Sequence, residues 1–181
     1  MRVLHDRNGA VRALVVVAMS IAPSCWAGDA FDAVKCDGDV AKALAGRKIG
    51  NEAVAKIEQR HSAIGLKDEG AEEISDALSY QAWTICGASY HMLEKGGAIR
   101  DVVRADHSKQ NPSFLGTCRI EGKATPYQVF AILDANDAKD ASSLAASQAW
   151  RIDEPGARFV HIDTKGLTCP RDGIATADGG P

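Results

Sequence analysis

The stretch that decides the fold is residues 80–93, with the sequence YQAWTICGASYHML. Aromatic and β-branched residues follow one another closely here, a composition typical of the pleated, half-buried surface of a sheet. Before Gly87 the large apolar residues Trp83 and Ile85 share one face. After it, Tyr90 and Met92 have the opposite parity. We therefore predict one long strand, with a β-bulge at Gly87 that returns these side chains to the same face.

Further strands are predicted on the C-terminal side of this stretch. The pair Gly96-Gly97 predicts a tight turn into a strand through Ile99 and Val102, so that the two strands form a hairpin. Alternating apolar residues and flanking turn residues indicate three more strands. These cover residues 114–120, 127–133 and 158–162.

Three stretches predict helices. Asp39 can cap a short helix that ends at Gly46, residues 71–78 have apolar side chains one turn apart, and the alanine-rich stretch 137–150 begins with aspartates that can cap it. Residues 51–61 fit both a helix and an exposed strand, and we favour the strand. The elements together predict an α+β fold, in which an antiparallel sheet of about five strands has a few helices packed on one face.

The N-terminus has the layout of a signal peptide of roughly 27 residues. Three arginines precede a short apolar run over residues 13–22, and Ala27 is a small residue suited to cleavage. The run has about half of the roughly 20 apolar residues that a membrane-spanning helix requires, so no transmembrane anchor is expected. In an alternative interpretation, Cys25 becomes the lipidated first residue of a lipoprotein.

The rest of the chain is predicted to be a single globular domain over residues 28–171, followed by a loose, glycine-rich tail over residues 172–181. Removal of the signal peptide takes away three arginines and one aspartate, which changes the formal charge from −3 to −5. This mildly acidic balance disfavours nucleic acids and anionic membranes as partners. The predicted location is the periplasm or the extracellular space.

Four cysteines remain after cleavage, an even number that suits disulfides in an oxidising compartment. They are Cys36, Cys86, Cys118 and Cys169. Three pairings are possible, and we favour Cys36 with Cys86 and Cys118 with Cys169. The spacing lacks the C-x-x-C pattern of redox and zinc sites, so we interpret the cysteines as structural.

No stretch carries a recognisable catalytic, metal or cofactor motif. Asp106-His107-Ser108 contains the residue types of a serine hydrolase, but neighbours in an extended segment point to alternate faces, so one histidine cannot bond both partners. The carboxylates within residues 68–73 are interpreted as the negative first turn of the second predicted helix. The four histidines of the mature chain show no paired spacing for a metal; they are His61, His91, His107 and His161.

The lack of a convergent motif in an exported domain favours a small binding protein, such as an inhibitor or an immunity-type protein, whose partner is another envelope or extracellular protein. We expect no enzyme activity and no cofactor. The polar segment 106–114 is the predicted binding loop, because recognition residues often lie on loops of a rigid scaffold. The candidate binding residues are His107, Lys109, Gln110 and Phe114.

Two alternatives remain open. A small-ligand carrier would enclose an apolar cavity lined by Trp83, Tyr90 or Phe130. An enzyme would assemble its site from His61, His91 and the loop 106–108, with a histidine within about 3.2 Å of a carboxylate or hydroxyl in a pocket.

Overall fold

The structure, a computed structural model, describes residues 29–136 and 142–172. The predicted signal peptide, the alternative lipidation site at Cys25 and the tail beyond residue 172 lie outside these ranges and remain predictions. Within them, no helix has the length and apolar character needed to span a bilayer.

Two antiparallel sheets dominate the fold, so the predicted α+β class with one sheet of about five strands is wrong. The first sheet is a four-stranded meander, paired in chain order. Its strands are β1 (Lys67–Ser75), β2 (Leu78–Ile85), β3 (Ala88–Lys95) and β4 (Ile99–Arg104).

The second sheet has seven strands. They are β5 (Ser113–Gly116), β6 (Arg119–Ile120), β7 (Lys123–Ala124), β8 (Val129–Asp134), β9 (Ser143–Asp153), β10 (Arg158–His161) and β11 (Leu167–Pro170). The strand order is β5-β8-β9-β11-β6-β7, and β10 pairs with the C-terminal half of β9. The long strand β9 therefore joins β8 on one side and two different strands on the other.

The helices among the described residues are short and pack on the outer face of the first sheet. They are α1 (Val40–Leu44), α2 (Val54–Arg60) and two turns of 3-10 helix, Ala30–Ala33 and Ser62–Ile64. The predicted cap of α1 is confirmed, because the Asp39 carboxylate accepts a hydrogen bond from the Lys42 amide at 3.0 Å. The strand favoured for residues 51–61 is wrong: this stretch forms α2, since helical spacing buries Ile57 in the core and leaves most neighbouring side chains exposed.

The stretch that was predicted as one strand forms the two strands β2 and β3. Cys86 and Gly87 make a two-residue turn with φ values of 54° and 76°, and Ile85 pairs with Ala88 across it. Positive φ at both central residues is the geometry of a tight hairpin turn. The change of parity is real, but both faces of this hairpin are buried, one against the helices and the other against the second sheet.

The predicted helix over residues 71–78 is also wrong. These residues belong to β1 and to the start of β2, with Ser75 paired to Leu78 across the connection. The one-turn spacing of Ile74 and Leu78 arises because both side chains contribute to the cluster between the sheets. The neighbouring carboxylates lie on an outer strand rather than in the first turn of a helix.

The predicted helix over residues 137–150 is contradicted as well. Residues 137–141 lie outside the described ranges, and the remainder belongs to β9. A register shift places Gln148 opposite Ile132 and Ala146 opposite Leu133, which leaves Ser147 as an extra residue. This bulge conceals the alternation of a strand, and Ala146 and Ala149 are buried in the core in spite of the helix propensity of alanine.

The remaining predicted strands are confirmed. Gly96-Gly97 forms the turn between β3 and β4, and the strand pair predicted for residues 114–120 and 127–133 corresponds to β5 and β8. The last predicted strand corresponds to β10. The last residues of the strand predicted for 114–120 form the separate strand β6, which makes a small hairpin with β7.

Three hydrophobic clusters and two disulfides hold the described chain together. One cluster lies between the helices and the first sheet, one between the two sheets, and one on the far side of the second sheet. Cys36 is bonded to Cys86 and Cys118 to Cys169, the pairing that the sequence favoured. These disulfides are consistent with an oxidising, exported location.

Candidate functional site

A group of polar side chains lies between the two sheets, toward one end of the first sheet. Its members are Glu69, Tyr80, Thr84, Ser89, His91 and His107, and we call it the polar cluster. The β2–β3 register explains its assembly, because Thr84 pairs directly with Ser89 and, further along, Ala82 pairs with His91. Residues directly opposite in an antiparallel pair lie on the same face of the sheet.

Glu69 connects the cluster to strand β1. One oxygen of its carboxylate, Oε1, accepts hydrogen bonds from the Thr84 hydroxyl and from the Ser89 hydroxyl, the latter at 3.3 Å. The other oxygen, Oε2, is 3.9 Å from Nδ1 of His107. Both of these atoms are buried and have no hydrogen-bond partner among the described residues. Because buried polar atoms without partners are uncommon in native proteins, this pair requires an explanation.

His91 lies deeper in the core and is fully hydrogen-bonded. Its Nε2 is 2.9 Å from the carbonyl oxygen of Ala105, and its Nδ1 is 2.6 Å from the Tyr80 hydroxyl. Since a carbonyl only accepts, Nε2 carries the proton and Nδ1 accepts from the tyrosine. The imidazole also packs against the Phe130 ring, with 4.2 Å between the ring centroids.

Burial keeps both members of this hydrogen bond uncharged. It lowers the pKa of His91 to about 4; the hydrogen bond to Ala105 opposes this shift, and the nearby His107 adds to it. Burial also raises the pKa of Tyr80, and the carboxylates of Glu69 and Glu72 raise it further. At neutral pH the interior of the cluster therefore contains a neutral imidazole and a neutral phenol.

The lowered pKa of His91 predicts a stability loss in mild acid. In the unfolded chain this group binds a proton near its ordinary pKa of 6.5, whereas in the folded chain it binds one only near pH 4. As the pH falls through this window, the unfolded state is favoured by up to about 3 kcal/mol. We expect urea unfolding at pH 7 and pH 4.5 to show this loss in the native chain, and a clearly smaller loss in His91→Gln.

The exposed His161 in β10 provides the matched control, as His161→Gln. This variant should keep the acid sensitivity of the native chain, because it retains the buried His91 and changes only an exposed histidine. Equal acid sensitivity of His91→Gln and the native chain would contradict the assignment of this loss to His91.

The structure separates the four candidate binding residues into two groups. His107 is only 7% exposed at its side chain and belongs to the polar cluster. Phe114 is 5% exposed and packs in the core on the far side of the second sheet. Lys109 and Gln110 are exposed on the loop between β4 and β5, so a partner could reach these two directly.

The loop that carries Lys109 and Gln110 is held in a fixed shape by hydrogen bonds. Ser108 and Asn111 exchange backbone bonds of 2.9 and 3.2 Å, which closes the tip. The carbonyl oxygens of Gln110 and Pro112 accept from amides at the end of β8 and just beyond it, each at 2.9 Å. At the other end of the loop the His107 side chain is buried, with Nδ1 3.9 Å from the Glu69 carboxylate.

The histidines of the enzyme alternative only partly come together. The rings of His91 and His107 are 5.9 Å apart, but His61 lies on the helical side of the first sheet, where it packs against Phe31. The contact of His91 with Tyr80 meets the distance expected of an enzyme, yet both side chains are buried in the core. Within the described ranges, no group of three or more side chains is arranged to hold a metal ion.

The sequence did not single out Glu69, Thr84 or Ser89 as parts of one site. Thr84 and Ser89 are equally distant from the Cys86–Gly87 turn, and a hairpin interpretation of residues 80–93 would have paired them. The Glu69 contact has no such local signal, because it depends on how β1 pairs with β2 and on where the loop after β4 returns.

An open cavity of about 450 Å³ lies at the opposite end of the first sheet. It is lined by residues that include Ser75, Leu78, Lys95, Tyr127 and Arg151. The aromatic residues expected to line a carrier cavity, Trp83, Tyr90 and Phe130, are instead buried in the hydrophobic clusters. This cavity is therefore different from the one that the carrier alternative predicts.

Comparisons of the chain with protein-family models, with curated proteins and with solved structures find no match. Function is therefore inferred from the residues and their geometry alone.

Proposed function

We propose that the mature chain is an exported binding protein, of the inhibitor or immunity-protein kind, that recognises another envelope or extracellular protein. Its recognition surface is the loop 106–112 together with the adjoining outer strand β1. The observation that carries the proposal is the burial of the His107 side chain beside Glu69, which places the exposed loop next to that strand.

Rigidity supports this proposal. The loop is tied to β8 and to itself by backbone hydrogen bonds, and both sheets belong to a scaffold with two disulfides. A preformed surface loses little conformational entropy on association, so more of the contact energy appears as affinity. A small protein that neutralises a partner by occupying its surface needs this property and no chemistry of its own.

Burial of the polar cluster favours binding over catalysis. His91 is fully buried, and the His107 side chain is 7% exposed, so a substrate in solution cannot reach their ring nitrogens in this conformation. A general acid or base has to lie within hydrogen-bond distance of the reacting group. The cluster is therefore best explained as the support that positions the loop.

The composition of the surface indicates what kind of contact the partner makes. Among the described residues, the large apolar side chains that are exposed are Val54 and Ile120. Val54 lies in α2 and Ile120 in β6 of the second sheet, so they belong to different elements. A contiguous apolar patch would favour an obligate or strongly hydrophobic interface. We infer instead a polar contact with a large electrostatic contribution.

The test is an affinity capture with the mature chain from Gly28 onward, produced with its disulfides formed, against envelope extract and culture medium. We expect one stoichiometric partner, identified by mass spectrometry. A blank capture with a verified fold would contradict the proposal and favour the carrier or enzyme alternatives.

The loop contribution is tested with Lys109→Ala/Gln110→Ala. The loop is fixed by backbone hydrogen bonds, so losing two side-chain contacts with the partner should weaken binding at least tenfold, or about 1.4 kcal/mol. The matched control is Lys42→Ala/Gln59→Ala, which removes the same side-chain types from the exposed surface of α1 and α2. Calorimetric titration, with melting temperatures checked, should show a weaker partner affinity for the loop variant than for the control. Equal affinities of the two variants would show that this loop is not the recognition surface.

A further inference from the structure

The two edges of the first sheet differ in how they are covered. Along β4, Ile99 exchanges backbone hydrogen bonds with the segment after α1, and the Asp101 carboxylate accepts from the Phe159 amide at 2.7 Å. Strand β1 is the outermost strand at the other edge and pairs only with β2 among the described strands. The fold therefore covers the start of β4 at one edge of this sheet, whereas no described strand covers the outer side of β1 at the other.

The open part of the edge begins after the start of β1. The Asp68 amide donates to the Glu58 carboxylate at 2.8 Å, and the Gly70 amide donates to the Asp68 carboxylate at 3.2 Å. Residues 71–73 are exposed, and no other described segment supplies hydrogen bonds to their outer side. An extended chain can add to such an edge through main-chain hydrogen bonds.

The charge of β1 favours one kind of strand as the addition to this edge. The strand carries four carboxylates and one lysine. Glu72 lies opposite Tyr80 and Glu73 opposite Ser79, so neighbouring carboxylates point to opposite faces of the sheet, and neither forms a salt bridge with a described residue. A strand placed beside β1 would meet negative charge on both of its faces.

This pattern disfavours a second copy of the chain and favours a basic partner. Like charges directly opposite one another in neighbouring strands are destabilising, whereas opposite charges stabilise the pair. Two copies of β1 side by side would bring carboxylates together. Charged edge strands in natural proteins block self-association in this way, and a strand rich in lysine or arginine is the one that this edge accepts.

Glu69 adds to the negative charge of this edge. Its carboxylate is 18% exposed at the point where β1 meets the loop, while the buried Oε2 faces Nδ1 of His107 at 3.9 Å. The exposed part of this carboxylate can attract a cationic side chain of an incoming strand. Glu69, Glu72 and Glu73 therefore favour the same kind of partner segment.

We propose that the partner adds an extended strand, rich in lysine or arginine, to the outer edge of β1. This inference rests on the proposed function and specifies the chemistry of the partner segment. The loop 106–112 would contact the partner beside the added strand.

The test uses a synthetic nine-residue peptide of lysine, threonine and valine as the probe, with a matched peptide in which every lysine is replaced by glutamate. The lysine peptide should bind the native chain, more weakly at high salt, and should shift and protect the backbone amides of residues 71–75 in NMR spectra. The glutamate peptide should not bind. Shifts confined to another part of the chain would overturn the inference.

Charge reversal separates the edge from general attraction to an acidic protein. Glu72→Lys/Glu73→Lys should weaken the binding of the lysine peptide at least tenfold. Asp37→Lys/Glu121→Lys makes the same change of net charge at exposed positions outside the first sheet and should change the affinity less than twofold. Equal weakening in the two variants would overturn the inference.

The captured partner distinguishes this inference from the proposed function. If Glu72→Lys/Glu73→Lys leaves partner binding unchanged while Lys109→Ala/Gln110→Ala weakens it, the edge inference is wrong and the proposed function stands. If both double variants weaken partner binding and the control variants do not, both are supported.

Discussion

Replacing Phe130 with alanine is expected to lower the free energy of unfolding by about 3 to 5 kcal/mol. The side chain is fully buried between the two sheets. Its ring lies 5.8 Å from Tyr80, 4.2 Å from His91, 5.3 Å from Trp150 and 5.8 Å from Phe159, measured between centroids. Truncation would leave a cavity at the centre of the contact between the sheets, and rigid strands on both sides prevent it from closing.

This loss should be measured by urea unfolding at pH 7, where His91 is neutral in the folded state and mostly neutral in the unfolded state. Phe130→Leu should show a smaller loss, because it keeps part of the apolar volume. Val54→Ala, on the exposed face of α2, should change stability by less than about 0.5 kcal/mol. A loss of under about 1 kcal/mol for Phe130→Ala would show that the aromatic cluster does not hold the sheets together.

The sequence predicted those parts of the fold whose signals are local. The turn at Gly96-Gly97 is specified by two adjacent residues, and the cap at Asp39 by one side chain and one amide. Both of these signals survive in the structure because nothing distant in the chain opposes them. The favoured disulfide pairing is also confirmed, although each bond joins cysteines about 50 residues apart and is not a local signal.

The larger error came from the strands that are hidden by irregularities. The extra residue Ser147 shifts the alternation within β9, so its alanines resemble a helix. The hairpin within residues 80–93 was not predicted, because we attributed the parity change at Gly87 to a bulge. A two-residue turn in a hairpin that is buried on both faces explains the same change. Without these two elements the division of the strands into two sheets could not be recognised.

The candidate site was predicted only in part for a related reason. His107 was identified from its place in a polar loop, but its burial depends on Glu69, which lies 38 residues earlier in the chain. A contact of this kind follows from strand register, which is set by the whole sheet. The carboxylates of β1 carried no sequence signal for an open edge, since a run of acidic residues fits a helix start equally well.

Removing the buried disulfide is expected to have an effect as large as that of Phe130→Ala. Cys118 and Cys169 are separated by 51 residues and both are fully buried. Cross-linking a loop of this length restricts the unfolded chain by about 4 kcal/mol in the chain-entropy model. Cys118→Ala/Cys169→Ala should therefore lower the unfolding free energy by about that amount, which is a large fraction of the stability of an ordinary domain.

The second disulfide provides the comparison, because the same model assigns it a similar entropic effect. Cys36 and Cys86 are 50 residues apart, but Cys36 is exposed and Cys86 half-buried. A mild reductant should therefore open Cys36–Cys86 while the chain is still folded, and open Cys118–Cys169 only when the second sheet unfolds. Alkylation of free thiols followed by peptide mass spectrometry, with circular dichroism recorded in parallel, gives the order. Reduction of Cys118–Cys169 first, in a chain that keeps its native spectrum, would contradict the burial of that bond. The expected order would show that burial, and not the nearly equal loop lengths, decides which disulfide is reduced first.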